Sequence, residues 1–269
     1  MKRHHASGRV LLLVLAVLVL PGCAARIPSS LPLAESEKPY VLHRLQEFQS
    51  RKCGWSLDAD VTLEWQMYGK REKIPGMLQL LSPAFFRYAV VDPLGRQLFI
   101  LVSDGNNFTL VDNRKAKALT GPVDSHFWRN YIPGFIRAND YISWLTGRLP
   151  AGSFKVNEIR ADRKSVDAVW LLTEWTDAIR QRVLFHPDTG QVARHIVEGA
   201  NDAVLLDVTY SDYQEDDLDC SRPRLLQVEG AEVSGTGTVH FVKLLPEAAI
   251  PPRIFHLTLP EHFTVTTVE

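Results

Sequence analysis

From Trp55 to Tyr68 apolar and polar side chains alternate without a break, with Leu57, Ala59, Val61, Leu63, Trp65 and Met67 facing one way and Asp58, Asp60, Thr62, Glu64 and Gln66 the other. A period of two held over that length predicts a long strand with one dry and one wet face. Such a strand needs neighbours on both edges and a cover over its apolar side. The stretch therefore commits the chain to a large antiparallel sheet.

Further strands are predicted at Met77–Ser82, Phe85–Val91, Gln97–Ser103 and Phe108–Asn113, punctuated by Pro83, Asp92-Pro93-Leu94-Gly95 and Asp104-Gly105-Asn106. The period then changes. Asp124 or Ser125 can cap a short helix carrying Phe127, Trp128, Tyr131 and Ile132, stopped by Pro133-Gly134. Asn139 can cap a second, with Tyr141, Ile142, Trp144 and Leu145 on one side and Gly147 at its end. Strand signals resume at Phe154–Ala161, Val166–Glu174, Gln181–His186, Gln191–Glu198, Val204–Tyr210, Leu225–Glu229, Thr236–Leu245 and Phe255–Leu259. The expected fold is mainly β with a small α insert: a curved antiparallel sheet of around ten strands, a half-open β-barrel covered by short helices. A further amphipathic helix fits Tyr40–Lys52, where Val41, Leu42, Leu45 and Phe48 fall at helical spacing.

The N-terminus is organised differently. Lys2, Arg3 and Arg9 precede the apolar run of Val10–Cys23, which is too short to span a bilayer and reads as a signal peptide over residues 1–22. Its Leu20-Pro21-Gly22-Cys23 end resembles a bacterial lipobox, which implies that Cys23 carries fatty acyl chains such as palmitate and anchors the chain to a membrane. Residues 23–39, rich in Pro, Ser and Ala, read as a flexible tether, and residues 40–269 as the domain it carries. The signal holds three basic residues and no acidic one, so from Cys23 onward 27 basic residues face 31 acidic ones, a net charge of −4. That balance argues against nucleic acid as a partner.

Cys53 and Cys220 remain once Cys23 is assigned to lipid. In an oxidising periplasm they can form a disulfide or stay as two separate buried thiols, and the sequence leaves both open. No GxSxG, HExxH, P-loop or dinucleotide-binding motif is present. His186, His195, His240 and His256 lie in turn or strand patterns without ligand spacing, and the acidic run Glu215–Asp219 lacks the glycine and distal glutamate of a calcium loop. The chain reads as a non-enzyme that needs no metal or cofactor. What remains is apolar: Trp65, Phe86, Tyr88, Phe99, Trp128, Trp144 and Leu145 can line a pocket between the sheet and the helical insert. The alternative is a plain core without a void.

Three motifs in order strengthen the pocket. Asp92-Pro93-Leu94-Gly95, Leu110-Val111-Asp112-Asn113 and Trp144-Leu145-Thr146-Gly147-Arg148-Leu149-Pro150 together resemble the LolA/LolB group of lipoprotein carriers, and LolB most, over about Tyr40 to Pro150. The resemblance implies acyl chains bound between sheet and lid, and Leu94 protruding to touch the membrane. It also implies outer-membrane residence facing the periplasm, and dealings with a LolA-type periplasmic carrier and other lipoproteins. Ala24 and Ala25 lack the aspartate that holds enterobacterial lipoproteins in the inner membrane, and the segment Cys220–Glu269 has no counterpart in the resemblance. Two further readings share the fold: an envelope carrier of free lipid or glycolipid, and a non-catalytic structural lipoprotein.

Overall fold

The expected long strand is β2 (Ser56–Met67), and it sits at the junction of the whole sheet. The computed structural model describes residues 27–51, 53, 56–67, 69–150, 154–176, 178–215, 220–233, 235–245 and 250–269. The signal segment with Cys23, the first part of the tether, Trp55, Tyr68 and residues 216–219 of the acidic run lie outside them.

Along β2 the apolar face grades from dry to open. Leu57, Ala59 and Val61 are buried at 4, 0 and 2% exposure, whereas Trp65 near the far end is 38% exposed. β3 (Lys70–Leu81) pairs with β2 along its full length and begins seven residues earlier than its apolar pattern suggests. Its first residues, Lys70-Arg71-Glu72-Lys73, carry no alternation because they extend past the core. Charge holds them instead: Glu64 on β2 accepts from Arg71 Nη2 at 2.6 Å and Lys73 Nζ at 2.8 Å.

A first meander continues through β4 (Phe85–Val91), β5 (Gln97–Ser103), β6 (Asn107–Asp112) and β7 (Lys117–Pro122). After a helical insert, a second runs through β8 (Glu158–Asp162), β9 (Val169–Thr176), β10 (Ile179–His186), β11 (Gln191–Glu198), β12 (Val204–Glu215), β13 (Ser221–Glu229) and β14 (Thr236–Leu244). Pairing of β14 with β2, from Thr236↔Gln66 to Leu244↔Ala59, fuses the two meanders into one mainly antiparallel sheet.

Two short edge strands complete it. β1 (Ser30–Pro32) pairs with β8, so part of the expected tether is held on the sheet, where Arg160 Nε donates to Ser30 Oγ at 2.8 Å. β15 (Thr264–Thr267) pairs with β7, and this pair is parallel. The expected strand Phe255–Leu259 is instead a 3-10 turn at Pro252–Phe255 followed by loop. Pro251, Pro252 and Pro260 lack the N–H groups a ladder needs. Leu257, Leu259 and Phe263 of this segment cover Ile100, Val102, Val111 and Ala118, which face away from the main core.

Three helices lie on the main-core side. α1 (Lys38–Ser50) buries Val41, Leu45 and Phe48 at helical spacing, with the Phe48 ring 5.4 Å from Phe185 of β10. Its outer side is fastened to the β10–β11 turn, where Arg44 donates to Pro187 O at 2.9 Å and Asp188 O at 2.8 Å. α2 (His126–Arg129) is capped by Ser125, whose hydroxyl accepts from the Trp128 amide, and α3 (Tyr141–Leu145) follows a 3-10 turn at Ala138–Asp140. Among the described residues no helix is long and apolar enough to cross a membrane.

Cys53 and Cys220 are joined, their Cα atoms 5.8 Å apart, which ties the segment after α1 to the start of β13. The bond closes a loop spanning 167 positions, for which chain entropy sets an upper figure of about 5 kcal/mol. A Cys53→Ser/Cys220→Ser variant is expected to lose about 2–5 kcal/mol of unfolding free energy in urea titration. An unchanged midpoint would contradict a bond at this position.

Candidate functional site

The concave side of the sheet and the helical insert do not meet everywhere. Between them lies a cavity of about 440 Å³. Its floor comes from both meanders: Val61, Leu63 and Trp65 of β2 and Tyr88 of β4 on one side, Val208 of β12 and Val228 of β13 on the other. Its roof is the insert, through Tyr131–Pro133, Ile136, Tyr141, Trp144 and Leu145. Trp65 and Tyr131 line the space yet are 38% and 73% exposed, which marks where it opens to solvent.

Most of the wall's buried polar groups are occupied elsewhere; the exception is Trp144 Nε1, which is buried without a hydrogen-bond partner. Glu64 turns to Arg71 and Lys73. Tyr88 donates its hydroxyl to Ile74 O at 3.0 Å, and burial pushes its phenol up to about 12. The Tyr141 hydroxyl accepts from Trp128 Nε1 at 3.1 Å. The space thus offers carbon and almost no hydrogen-bonding partner. An apolar cavity of this kind gives water nothing to bind and accepts hydrocarbon.

The roof is pinned at two places. At one end Trp128 sits 4.9 Å from Phe108 of β6 in an aromatic cluster with Tyr141. At the other, the Trp144 ring stacks on His195 of β11 at 4.0 Å and 11°. His195 is 1% exposed, its Nε2 lies 2.8 Å from Gln181 Oε1, and desolvation pushes its imidazole down to about 3. It is a neutral stacking partner at ordinary pH.

Five of the seven proposed pocket residues meet at this cavity: Trp65, Phe86, Tyr88, Trp144 and Leu145. Two do not. Trp128 is buried outside the void, in the cluster that holds α2 to β6. Phe99 lies two residues beyond Leu101, which does line the cavity, and its ring is covered by the Arg114 guanidinium at 4.3 Å. Leu63, Val208 and Val228 had a usable signal, being in phase with their strands' apolar alternation. Tyr131 falls in the pattern of the first predicted helix, but that helix ends at Arg129, so its pattern does not aim Tyr131 at the cavity.

Leu94 occupies the tip of the β4–β5 turn and is 79% exposed. Asp92 holds it there: its Oδ1 accepts from the amides of Leu94 and Arg96, both at 2.9 Å, and Gly95 adopts a φ of +78°. Strand register brings this tip to the same end of the sheet as Trp65, since Gly76 pairs with both Val61 and Val90.

Solved structures with the same architecture include a domain assigned to outer membrane lipoprotein sorting from Vibrio parahaemolyticus, 11% identical with a TM-score of 0.51. That match covers 80% of this chain and 95% of the other. A LolA superfamily protein from Nitrosomonas europaea is 10% identical with a TM-score of 0.53, covering 81% and 97%. The fold is LolA-like. A DUF1329 family protein from Desulfovibrio piger aligns with a TM-score of 0.54 at 10% identity, over 83% and 98% of the two chains. No family model and no curated protein matches the chain. What is shared is the LolA-like fold, at about a tenth of aligned positions identical.

The roof's anchor has a pH signature. An unfolded histidine takes up a proton as the pH falls through about 6.5, whereas buried His195 resists until about 3. The stability gained by keeping it neutral is full above pH 6.5 and is lost as the pH falls toward 3, by up to about 1.4 kcal/mol per pH unit. His195→Gln is expected to flatten the acid limb of stability against pH by about one proton's worth. An identical limb in urea unfolding of the variant would contradict this role.

Proposed function

We propose that this chain is an outer-membrane lipoprotein of LolB-like type, anchored through Cys23, that binds acyl chains under its lid and takes part in inserting other lipoproteins. One observation carries the reading: a carbon-lined cavity of about 440 Å³ opens at the end of the sheet where Leu94 protrudes. The volume falls within the roughly 300–1,000 Å³ of ligand pockets. The LolA-like fold supports a carrier of lipid or lipoprotein in the cell envelope.

In this reading the protein works by transfer of hydrophobic surface, without bond chemistry. Acyl chains leave a periplasmic carrier of LolA type for the cavity, each buried CH₂ contributing about 0.8 kcal/mol. Leu94 then enters the bilayer surface beside the mouth, and the chains move on into the membrane. The lipid on Cys23 keeps the domain at that surface.

Fluorescent fatty acids of increasing length test the cavity. Affinity is expected to rise about fourfold per added CH₂ until the space is full, then level off. Val228→Trp, which fills the space from β13, is expected to weaken binding at least about tenfold, a loss of about 1.4 kcal/mol. Length-independent affinity, or normal binding by a folded Val228→Trp protein, would count against the cavity.

Leu94→Glu separates binding from delivery. Fatty acid binding is expected to be unchanged while transfer of a lipoprotein from carrier to vesicles falls at least about tenfold, because a carboxylate at the tip cannot enter hydrocarbon without a large desolvation cost. Equal loss of both activities would contradict a membrane role for Leu94. Mass spectrometry of protein taken from its native membrane identifies the cargo: captured lipoproteins support handover, and free lipid or glycolipid alone supports a lipid carrier on the same fold.

A further inference from the structure

The segment that roofs the greasy cavity has a second side. Ile136, Tyr141, Trp144 and Leu145 face the cavity, while Arg137, Asn139, Asp140, Ile142 and Ser143 border a separate pocket of about 700 Å³. That pocket lies between the C-terminal end of α1, the Ser82-Pro83 turn and the residues after α3, with Cys53 on its wall. Its character differs from the first. Among the described residues Arg51, Arg137 and Arg148 line it, against one acidic residue, Asp140.

Asp140 is already committed. It is 3% exposed and takes Arg137 Nε at 2.8 Å and Nη2 at 3.3 Å as a fork. Arg148 reaches no carboxylate among the described residues. Its Nη2 donates to Phe48 O at 2.5 Å and Arg51 O at 3.1 Å, and its guanidinium lies 4.2 Å over the Phe48 ring. Those bonds take both Nη2 hydrogens, so Arg148 can give single hydrogen bonds from Nη1 and Nε, and a two-point fork on an oxyanion has to come from Arg51. Arg51 forms no ion pair among the described residues. The carbonyls ending α1 supply roughly half a negative charge, which offsets only part of two unpaired cations. Among the described residues the site keeps a positive surplus, and burial with Arg51 and Arg222 close by pulls Arg148 down to about 10.

We propose that this pocket is an oxyanion site, in which Arg51 and Arg148 receive a phosphate-class group and the apolar wall of Phe48, Pro83 and Leu149 takes the moiety that carries it. Guanidinium forks match phosphate oxygens in geometry as well as charge. The pocket is too polar for a bare hydrocarbon tail, and its cations stand on a rigid frame: the end of a helix and the segment after α3, near the Cys53–Cys220 bond.

Calorimetric titration of the full chain in nonionic detergent tests the site with three probes: inorganic phosphate, glycerol 3-phosphate and dihexanoyl phosphatidic acid. Saturable binding of at least one is expected, weakened about tenfold by Arg51→Gln. Arg51's side chain has no hydrogen bond among the described residues, so the variant should keep its thermal midpoint. Arg148→Lys, which keeps the positive charge, should weaken binding by less than Arg51→Gln weakens it with Arg148 intact. Equal affinity for all three probes supports a free oxyanion as ligand, and preference for the two glycerol esters supports a lipid headgroup. No saturable binding, or binding that Arg51→Gln leaves untouched, overturns the proposal. Uptake of the diacyl probe by the greasy cavity would show itself as the second case.

Discussion

Everything in this molecule hangs on the pairing of β14 with β2, strands separated by most of the chain. Each meander alone would be an open sheet with an uncovered apolar face. Joined along this seam they curve into one surface, and the cavity floor lies across the join. Trp65 on β2 faces Gly237 on β14, where a Cβ would come within 2.5 Å of the indole. Only a residue without a side chain lets that ring lie across the seam. Gly76 does the same for Tyr88, whose ring a Cβ would meet at 2.7 Å.

The void persists because the roof cannot settle into it. Trp128 and Phe108 fix the lid at one end, and Trp144 on His195 fixes it at the other. Tight packing between these anchors would need the Tyr141–Leu145 turn to move toward β2, which would break the ring stack. Dry protein interiors are normally filled to crystal-like density. A carbon-lined gap held open by two aromatic anchors is a departure from that rule, and binding hydrocarbon is a function that explains it.

The architecture was legible wherever burial imposes a period. The Trp55–Tyr68 alternation located β2 to within a residue or so, and Phe85–Val91, Gln97–Ser103 and Gln191–Glu198 coincide with β4, β5 and β11. Strands whose stability comes from other sources were hidden. β7 has Gly121 and Pro122 in place of apolar residues, because Val268 from the C-terminal segment lies where a Gly121 Cβ would go, at 2.6 Å. β1 and β15 are edge strands with exposed or half-buried side chains, so alternation leaves no trace in them. Of the seven residues expected at the cavity, five line it and two do not. Periodicity gives the face of a strand and not the depth along it, so it does not separate Phe99 from Leu101, which does line the cavity. A four-residue helix has no resolvable stripe, so the pattern does not show that Trp128 faces β6 and not the void.

The central claim is that hydrocarbon occupies the space between lid and seam. A crystal structure with a fatty acid brominated at its terminal carbon tests it directly through the anomalous signal of bromine. The account predicts a bromine peak among Trp65, Tyr88 and Leu145, with the Trp144–His195 stack intact. A peak confined to the outer surface, or a lid collapsed onto β2 with the ligand excluded, would contradict it.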